Sequence, residues 1–410
     1  MTYRESLDWL YALQVHGVKL GLENTRRLCD ALGLQTASSE RCRFIHVAGT
    51  NGKGSVCAML AAIGVAMGRR TGLYTSPHLV SFRERIRLGP NRIPEDQVAG
   101  GLVMIKESVA AWNHAPTFFE VTTALALSWF QTQRAEIVVL ETGMGGRLDA
   151  TNVVIPSVSV LTPIGFDHMQ YLGGTLAEIA GEKAGIIKPG VPAISAPQLP
   201  DAERVLREKA AAAGAPLTFI QQPVGDDWPL ALPGPHQRWN AALAFAALIE
   251  AGFRPEPHIV RDAFATVEWP GRFQRVGDRL VIDGAHNPPA AVQLAETWRG
   301  EFGDERAVLI LGMLADKDVA GVVAALAPIV ARIICVPVRS PRALPPADLA
   351  RVIRDNAPGV PVTVGESLGP ALDAAQTAGG RILVSGSLFL AGQALVHLGL
   401  AERAQEWSAQ

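Results

Sequence analysis

The chain has 410 residues, which at about 100–200 residues per domain gives room for two or three domains. It is 48% hydrophobic and 19% charged with a formal net charge of -2, the balance of a folded globular protein without a broad basic face for nucleic acid. Its four cysteines (Cys29, Cys42, Cys57 and Cys335) are far apart with no CxxC, so neither a disulfide framework nor a thiolate zinc site is expected.

The opening MTYRESLDWL is charged and reads as neither a signal peptide nor a membrane anchor. No stretch approaches the roughly 20 apolar residues of a membrane span, so a cytoplasmic enzyme is expected. FIHVA (44–48) predicts a short buried strand, followed by Gly-rich GTNGKGS (49–55) and a helix through CAMLAAIGVAM. IVVLE (137–141) and VVIPSVSVLT (153–162) predict two further strands, TLAEIAGEKAGII (175–187) a helix stopped by KPG, and VPAISA (191–196) another strand. Residues 201–213 read as a charged, Ala-rich helix, and a Pro-rich stretch then leads to a helix at WNAALAFAALIEAG. After EWPGRF (268–273) the alternation restarts with RLVIDGAHN, VLILGML, RIICVPV, VPVTV and RILVSGS, the last followed by a closing helix. Short apolar strands alternating with helices predict an α/β fold, its parallel sheets covered on both faces. The expected layout is an ATP-binding domain over residues 1–268 and a smaller, Rossmann-like domain over 269–410.

Gly49, Thr50, Asn51, Gly52, Lys53, Gly54 and Ser55 lie between a strand and a helix, where backbone N–H groups converge on phosphate oxygens. Lys53 supplies a point charge for the β- and γ-phosphates, and Ser55 a hydroxyl near a metal. The loop departs from G-x-x-x-x-G-K-[ST]: Val47 stands at the first glycine position, and Gly54 separates Lys53 from Ser55. Glu141 ends a strand, where open α/β sheets place ligands, and a carboxylate suits Mg²⁺. Taken alone, Lys183 reads as a solvated helix lysine paired with Glu178 or Glu182. The aromatics Trp112, Phe118, Phe119, Trp129 and Phe130 read as a packed helix face. Arg83, Arg85, Arg87 and Arg92 read as a solvated cationic face able to steer anions. Arg272 suits either a hinge cap or a phosphoryl-neutralising fork.

GTNGKGS, TSPHL (75–79), ERIR (84–87), ETGMGGRLDATN (141–152), LTPIGFDHMQYLGGT, EKAGIIKPG, HQRWNA, PGRF and DGAHNP follow one another in order. In that order they resemble the folylpolyglutamate synthase and dihydrofolate synthase family of the Mur ligase superfamily. GMLADKD (312–318) and SGSLFLAG (385–392) add a weaker echo. The resemblance implies a phosphate-loop ATPase domain joined to a glutamate-ligase-type domain. It implies ATP and two Mg²⁺: Ser55, Glu141 and Ser76 around one, and Glu141, His168 and a carbamylated Lys183 around the other. It places Asn240, Arg272, Asp283 and His286 beside ATP, and makes Lys53, His168, Lys183 and Arg272 the catalytic set. Phe118 or Phe119 becomes a wall of a pterin pocket, with Arg147 and Asp149 loop-fixing or next to substrate. The implied reaction joins L-glutamate to dihydropteroate, to reduced folates or to both through an acyl phosphate, on a monomer with only small-molecule partners. Another Mur-type amino-acid ligase is the first alternative; it would call for a nucleotide-precursor domain, and 48 residues precede Gly49. A non-catalytic nucleotide-binding protein is the second, and the presence of Lys53, Glu141, His168 and Lys183 argues against it.

Overall fold

The structure, a computed structural model, describes residues 1–16, 21–401 and 406. Its first sheet contains β1 (Arg43–Ala48), β2 (Thr71–Tyr74), β3 (Ile86–Leu88), β4 (Asn91–Arg92), β5 (Ile137–Glu141), β6 (Val158–Leu161), β7 (Ala193–Ser195) and β8 (Leu217–Phe219). The spatial order is β4-β3-β2-β5-β1-β6-β7-β8. The six strands from β2 to β8 run parallel, while β3 and β4 turn back as an antiparallel edge.

Side chains alternate across β1 with period two, and both faces are covered. Ile45 and Val47 enter a core with the Lys53–Ala66, Pro235–Glu250 and Pro257–Thr266 helices. Phe44 enters the opposite core, with the Tyr3–Ala12, Glu95–Val109 and Phe118–Thr132 helices.

The second sheet contains β9 (Gln274–Val276), β10 (Leu280–Ile282), β11 (Ala307–Leu311), β12 (Val330–Cys335), β13 (Val362–Val364) and β14 (Arg381–Ser385), in the order β13-β12-β11-β14-β10-β9. Only β9 is antiparallel. Leu309 and Leu383 face one core, Val308 and Ile382 the other. Val80 of the first sheet's half is buried in this second core, so the two halves share apolar surface.

Several elements differ from the sequence expectation. The strand expected over 153–162 begins only at Val158, because Asp149 accepts from Thr151 N and caps a 3₁₀ turn over Ala150–Val153, and Pro156 follows. The helix expected over 175–187 is α-helical only to Lys183 and ends as a 3₁₀ turn, Ala184–Ile186. The helix expected from WNAAL starts at Pro235, where proline suits the first turn. The antiparallel strands β3, β4 and β9 are too short to show a period. ERIRLGPNRI is not a uniformly solvated face: Arg85 is fully buried and donates from Nε to Nδ1 of His78 (2.7 Å).

Candidate active site

β1 is flanked by β5 and β6, so the loops after all three leave the same sheet edge together. The register sets Val47 beside Glu141 and Ala48 beside Leu161. Gly49 then turns at φ 149°, and a Cβ there would sit 1.8 Å from Thr162 Oγ1, so only glycine fits. Thr50 N donates to Pro163 O (3.0 Å), and Thr50 Oγ1 donates to Gly165 O (3.0 Å). Lys53 Nζ lies back over the loop, donating to the carbonyls of Gly49 and Thr50 at 3.2 Å each. Gln237 Nε2 donates to the buried Ser55 hydroxyl (3.4 Å) and accepts, through Oε1, from Asn240 (2.9 Å).

Glu141 is only 5% exposed, and its Oε2 accepts from Ser76 N (3.1 Å). Burial pushes its carboxyl pKa up, against the pull of Lys53 and Arg272. Lys183 is 4% exposed, and its Nζ donates to Gly49 O at 2.7 Å. This overturns the solvated reading. Glu178 is occupied capping Thr175, and Glu182 pairs with Arg147 at 2.7 Å. Burial first, and the charge of Lys53 second, push the Lys183 pKa down to about 7.

Asp167 reaches across to the second half of the chain. Its carboxylate takes Lys317 Nζ at 2.7 Å and Asn287 Nδ2 at 3.0 Å, while Asn287 and Asn51 exchange amide hydrogen bonds at 3.1 Å. Burial works against the Asp167 charge, yet the adjacent histidines and Lys317 hold its pKa below the ordinary range. Burial lowers both His168 and His286 to about 4, so at neutral pH Lys317 is the countercharge. His286 Nδ1 donates to Gly284 O (2.8 Å), leaving Nε2 unprotonated toward Asp167 (3.9 Å). His168 adopts a left-handed backbone (φ 51°), at a cost of about 1–2 kcal/mol of the kind held at functional sites. Asp283 accepts from Phe273 N (2.8 Å) and Ala285 N (2.7 Å), tying the DGAHNP turn to the PGRF segment that carries Arg272.

These groups line one cleft of about 540 Å³, which continues from the phosphate loop into an aromatic chamber. Phe118 stacks on Tyr11 (centroids 5.7 Å), and Phe119 packs against Tyr74 (5.9 Å) with its ring over Gly143. Trp129 and Phe130 are buried in the core as a helix face, whereas Trp112 lies before that helix under the Arg27 guanidinium (4.0 Å). Asp149 is buried in the chamber wall, accepts from Met144 N (2.9 Å), and is pushed up in pKa by burial. Arg147 does not join this wall. Its side chain is 58% exposed and pairs with Glu182, so of its two readings the loop-fixing one fits.

Among the described residues no three His, Cys, Asp or Glu side chains cluster as a metal cage. A single buried carboxylate, Glu141, beside the phosphate loop and Ser55 fits Mg²⁺, which takes few protein ligands and completes its shell with phosphates and water. Sequence reasoning missed Lys317, Asn287 and Gln237 as site residues, though GMLADKD, DGAHNP and HQRWNA contain them. It also missed the C-terminal Glu406, whose carbonyl accepts from His78 Nε2 (2.7 Å) and whose carboxylate accepts from Tyr3 Oη (2.7 Å) and Ser81 Oγ (3.0 Å). No short motif marks that contact.

The Mur ligase middle domain model matches residues 47–219, and the Mur ligase glutamate ligase domain model matches 271–388. The dihydrofolate synthase/folylpolyglutamate synthase of Bacillus subtilis is 35% identical over 348 residues, covering 77% of this chain and 80% of its own. Escherichia coli FolC, solved with DHPP and ADP, superposes with a TM-score of 0.88 at 33% identity, covering 98% of each chain. The bifunctional folylpolyglutamate synthase/dihydrofolate synthase of Yersinia pestis, solved with AMPPNP and a Mn ion, gives a TM-score of 0.86 at 29% identity, covering 97% of this chain and 98% of that one.

Proposed function

The chain belongs to the dihydrofolate synthase/folylpolyglutamate synthase family of Mur ligases, and from that premise we propose that it joins L-glutamate to dihydropteroate, to reduced folates or to both. It is an ATP-dependent, ADP-forming ligase. The observation that carries the assignment is the single cleft running from the Lys53 loop, past Glu141 and Lys183, into the Phe118–Phe119 chamber, with Arg272, Asp283 and His286 as its opposite wall.

In this reading the chamber holds the pterin against Phe118 or Phe119, with Asp149 fixing the chamber wall through its hydrogen bonds to Met144 N and Thr151. The acceptor carboxylate attacks the γ-phosphate in line and gives an acyl phosphate plus ADP. The amine of L-glutamate attacks the acyl carbon, and phosphate leaves from the tetrahedral intermediate. The chain contributes placement and charge neutralisation, so it needs no side-chain nucleophile. Backbone N–H groups of residues 49–55 and Lys53 bind the β- and γ-phosphates. Asn240 packs beside Gly52 and shapes the loop, while Arg272 neutralises the transferring phosphoryl group from the other wall.

Ser55, Ser76 and Glu141 would hold one Mg²⁺, and His168, Glu141 and a carbamylated Lys183 a second. These ions, when bound, neutralise phosphate charge. A buried lysine with a lowered pKa has the free amine that carbamylation by CO₂ requires, and the resulting anion is a two-oxygen ligand. The domain boundary in this reading falls between residues 268 and 269. Among the described residues no helix is long and apolar enough to cross a membrane. Because one chain supplies both walls of the cleft, the reading is of a monomer, and the family reading places it in the cytoplasm.

The test is turnover of Mg·ATP and L-glutamate with 7,8-dihydropteroate or tetrahydrofolate, followed as ADP and as glutamylated product by mass. Product with at least one acceptor is expected. Failure with both, alongside glutamylation of an unrelated carboxylate, overturns the substrate assignment.

A further inference from the structure

The phosphate loop carries an extra glycine. In the general pattern Ser or Thr follows the lysine directly, so a side chain at that position is compatible with phosphate binding. Here Gly54 intervenes, at the start of the Lys53–Ala66 helix. Its backbone is not in the left-handed region, and alanine is a better helix former than glycine, so local conformation does not require glycine. A tertiary contact does. A Cβ on Gly54 would lie 2.8 Å from Trp269 Nε1 and 3.2 Å from both Cε2 and Cζ2 of the same indole.

Trp269 belongs to the segment that leads from the first sheet's half into the second. Its indole packs partly buried against the core behind the phosphate loop. Three residues later comes Arg272, and the intervening chain is fixed from the far side. Gly284 N donates to Gly271 O (2.9 Å), Gly271 N donates to Gln274 Oε1 (2.9 Å), and Phe273 N donates to Asp283. A short, pinned tether therefore runs from the phosphate loop to the arginine on the opposite wall.

We propose that Trp269 is a positioning residue that couples the phosphate loop to Arg272, and that Gly54 is glycine to seat its indole. Nucleotide that orders residues 49–55 thereby sets the linker and, through it, the placement of the Arg272 guanidinium. The proposal rests on the nucleotide-dependent ligase reading and adds to it a residue acting only through its neighbours.

The experiment is a double-mutant cycle in the full chain, with kcat, KM for ATP and Mg·ADP affinity by calorimetry. Gly54→Ala alone is expected to lower kcat by about 100-fold, because the added methyl displaces the indole and Arg272 with it. Trp269→Leu should lower kcat about 10-fold while ADP affinity moves by less than about 3-fold, since the loop itself is intact. In the Trp269→Leu background, Gly54→Ala should cost no more than about a further 3-fold. Should Trp269→Leu melt below the assay temperature, Trp269→Phe, which withdraws the indole edge from Gly54, takes its place in the cycle. Trp269→Phe should also abolish most of the tryptophan-emission change that Mg·ADP causes in the wild-type protein. Equal cost of Gly54→Ala in both backgrounds, or an undiminished emission change in Trp269→Phe, overturns the proposal. A wild-type protein that neither binds ADP nor turns over overturns the ligase reading itself, and this inference falls with it.

Discussion

Lys183 concentrates the chemistry at the residue scale. Its buried Nζ donates to Gly49 O, so Lys183→Ala leaves that carbonyl with one partner fewer. A stability loss of about 1–2 kcal/mol is expected, read as a shift in denaturant midpoint. If the side chain acts as a carbamate on the metal, kcat falls by about 100-fold or more, and near wild-type turnover would refute that role. Arg147 is expected to behave in the opposite way. Its exposed pair with Glu182 is worth under about 1 kcal/mol, so Arg147→Ala should keep kcat within about 3-fold. His46 makes a pH prediction. Its Nε2 donates to Thr151 Oγ1 (2.8 Å), and Thr151 in turn donates to Asp149, so Nδ1 carries no proton and, among the described residues, no partner. Burial, then Lys188, lower its pKa to about 3. The unfolded chain therefore binds a proton that the fold rejects. The His46 contribution is fully present above about pH 6.5 and is lost as pH falls toward 3, with a slope of up to about 1.4 kcal/mol per pH unit. Denaturant melts at pH 7 and pH 5 should differ less in His46→Gln than in wild type.

Among the elements, the turn after β2 has the most to lose. TSPHL delivers Ser76 N to Glu141 at one end and buries Val80 in the second core at the other. Between them, neutral His78 is clamped by Arg85 Nε on one nitrogen and by the Glu406 carbonyl on the other. The Glu406 carboxylate in turn accepts from Ser81 Oγ and Phe82 N at the foot of the same turn. Glu406→Ala should therefore reach Glu141 through this turn. The expected result is a fall in kcat of about 3- to 10-fold with little change in ADP affinity, and unchanged kcat would make the tail contact incidental. Strands β1, β5, β6 and β7 of the first sheet and β10 to β14 of the second were legible from short apolar runs ending at Gly-rich or polar sequence, whereas β2, β3, β4, β8 and β9, of two to four residues each, were not. The 3₁₀ turn at Ala150–Val153 was not, because a side-chain cap from Asp149 overrides the β propensity of the valines that follow.

For the molecule as a whole, the two walls of the cleft are joined by an ion pair, the Asp167 carboxylate of one half neutralised by Lys317 of the other. Lys317→Met should leave that partly buried carboxylate without its countercharge and open the cleft, at a cost of about 3 kcal/mol. The measurement is small-angle scattering with and without Mg·ADP, and an unchanged radius of gyration would show that apolar contacts at Val80 suffice. The sequence by itself determined the α/β class, the phosphate loop, the acidic end of β5 and the family resemblance, because each is written in contiguous residues: a run, a turn and its flanks. It could not determine that Lys183 is buried or that Arg85 is a core residue, since burial is a property of what the rest of the chain lays over a side chain. Nor could it pair Asp167 with Lys317, 150 residues apart, or set Trp269 against Gly54. The first contact exists only once the two halves meet and the second only once the linker packs on the helix after β1, and no local spacing encodes either.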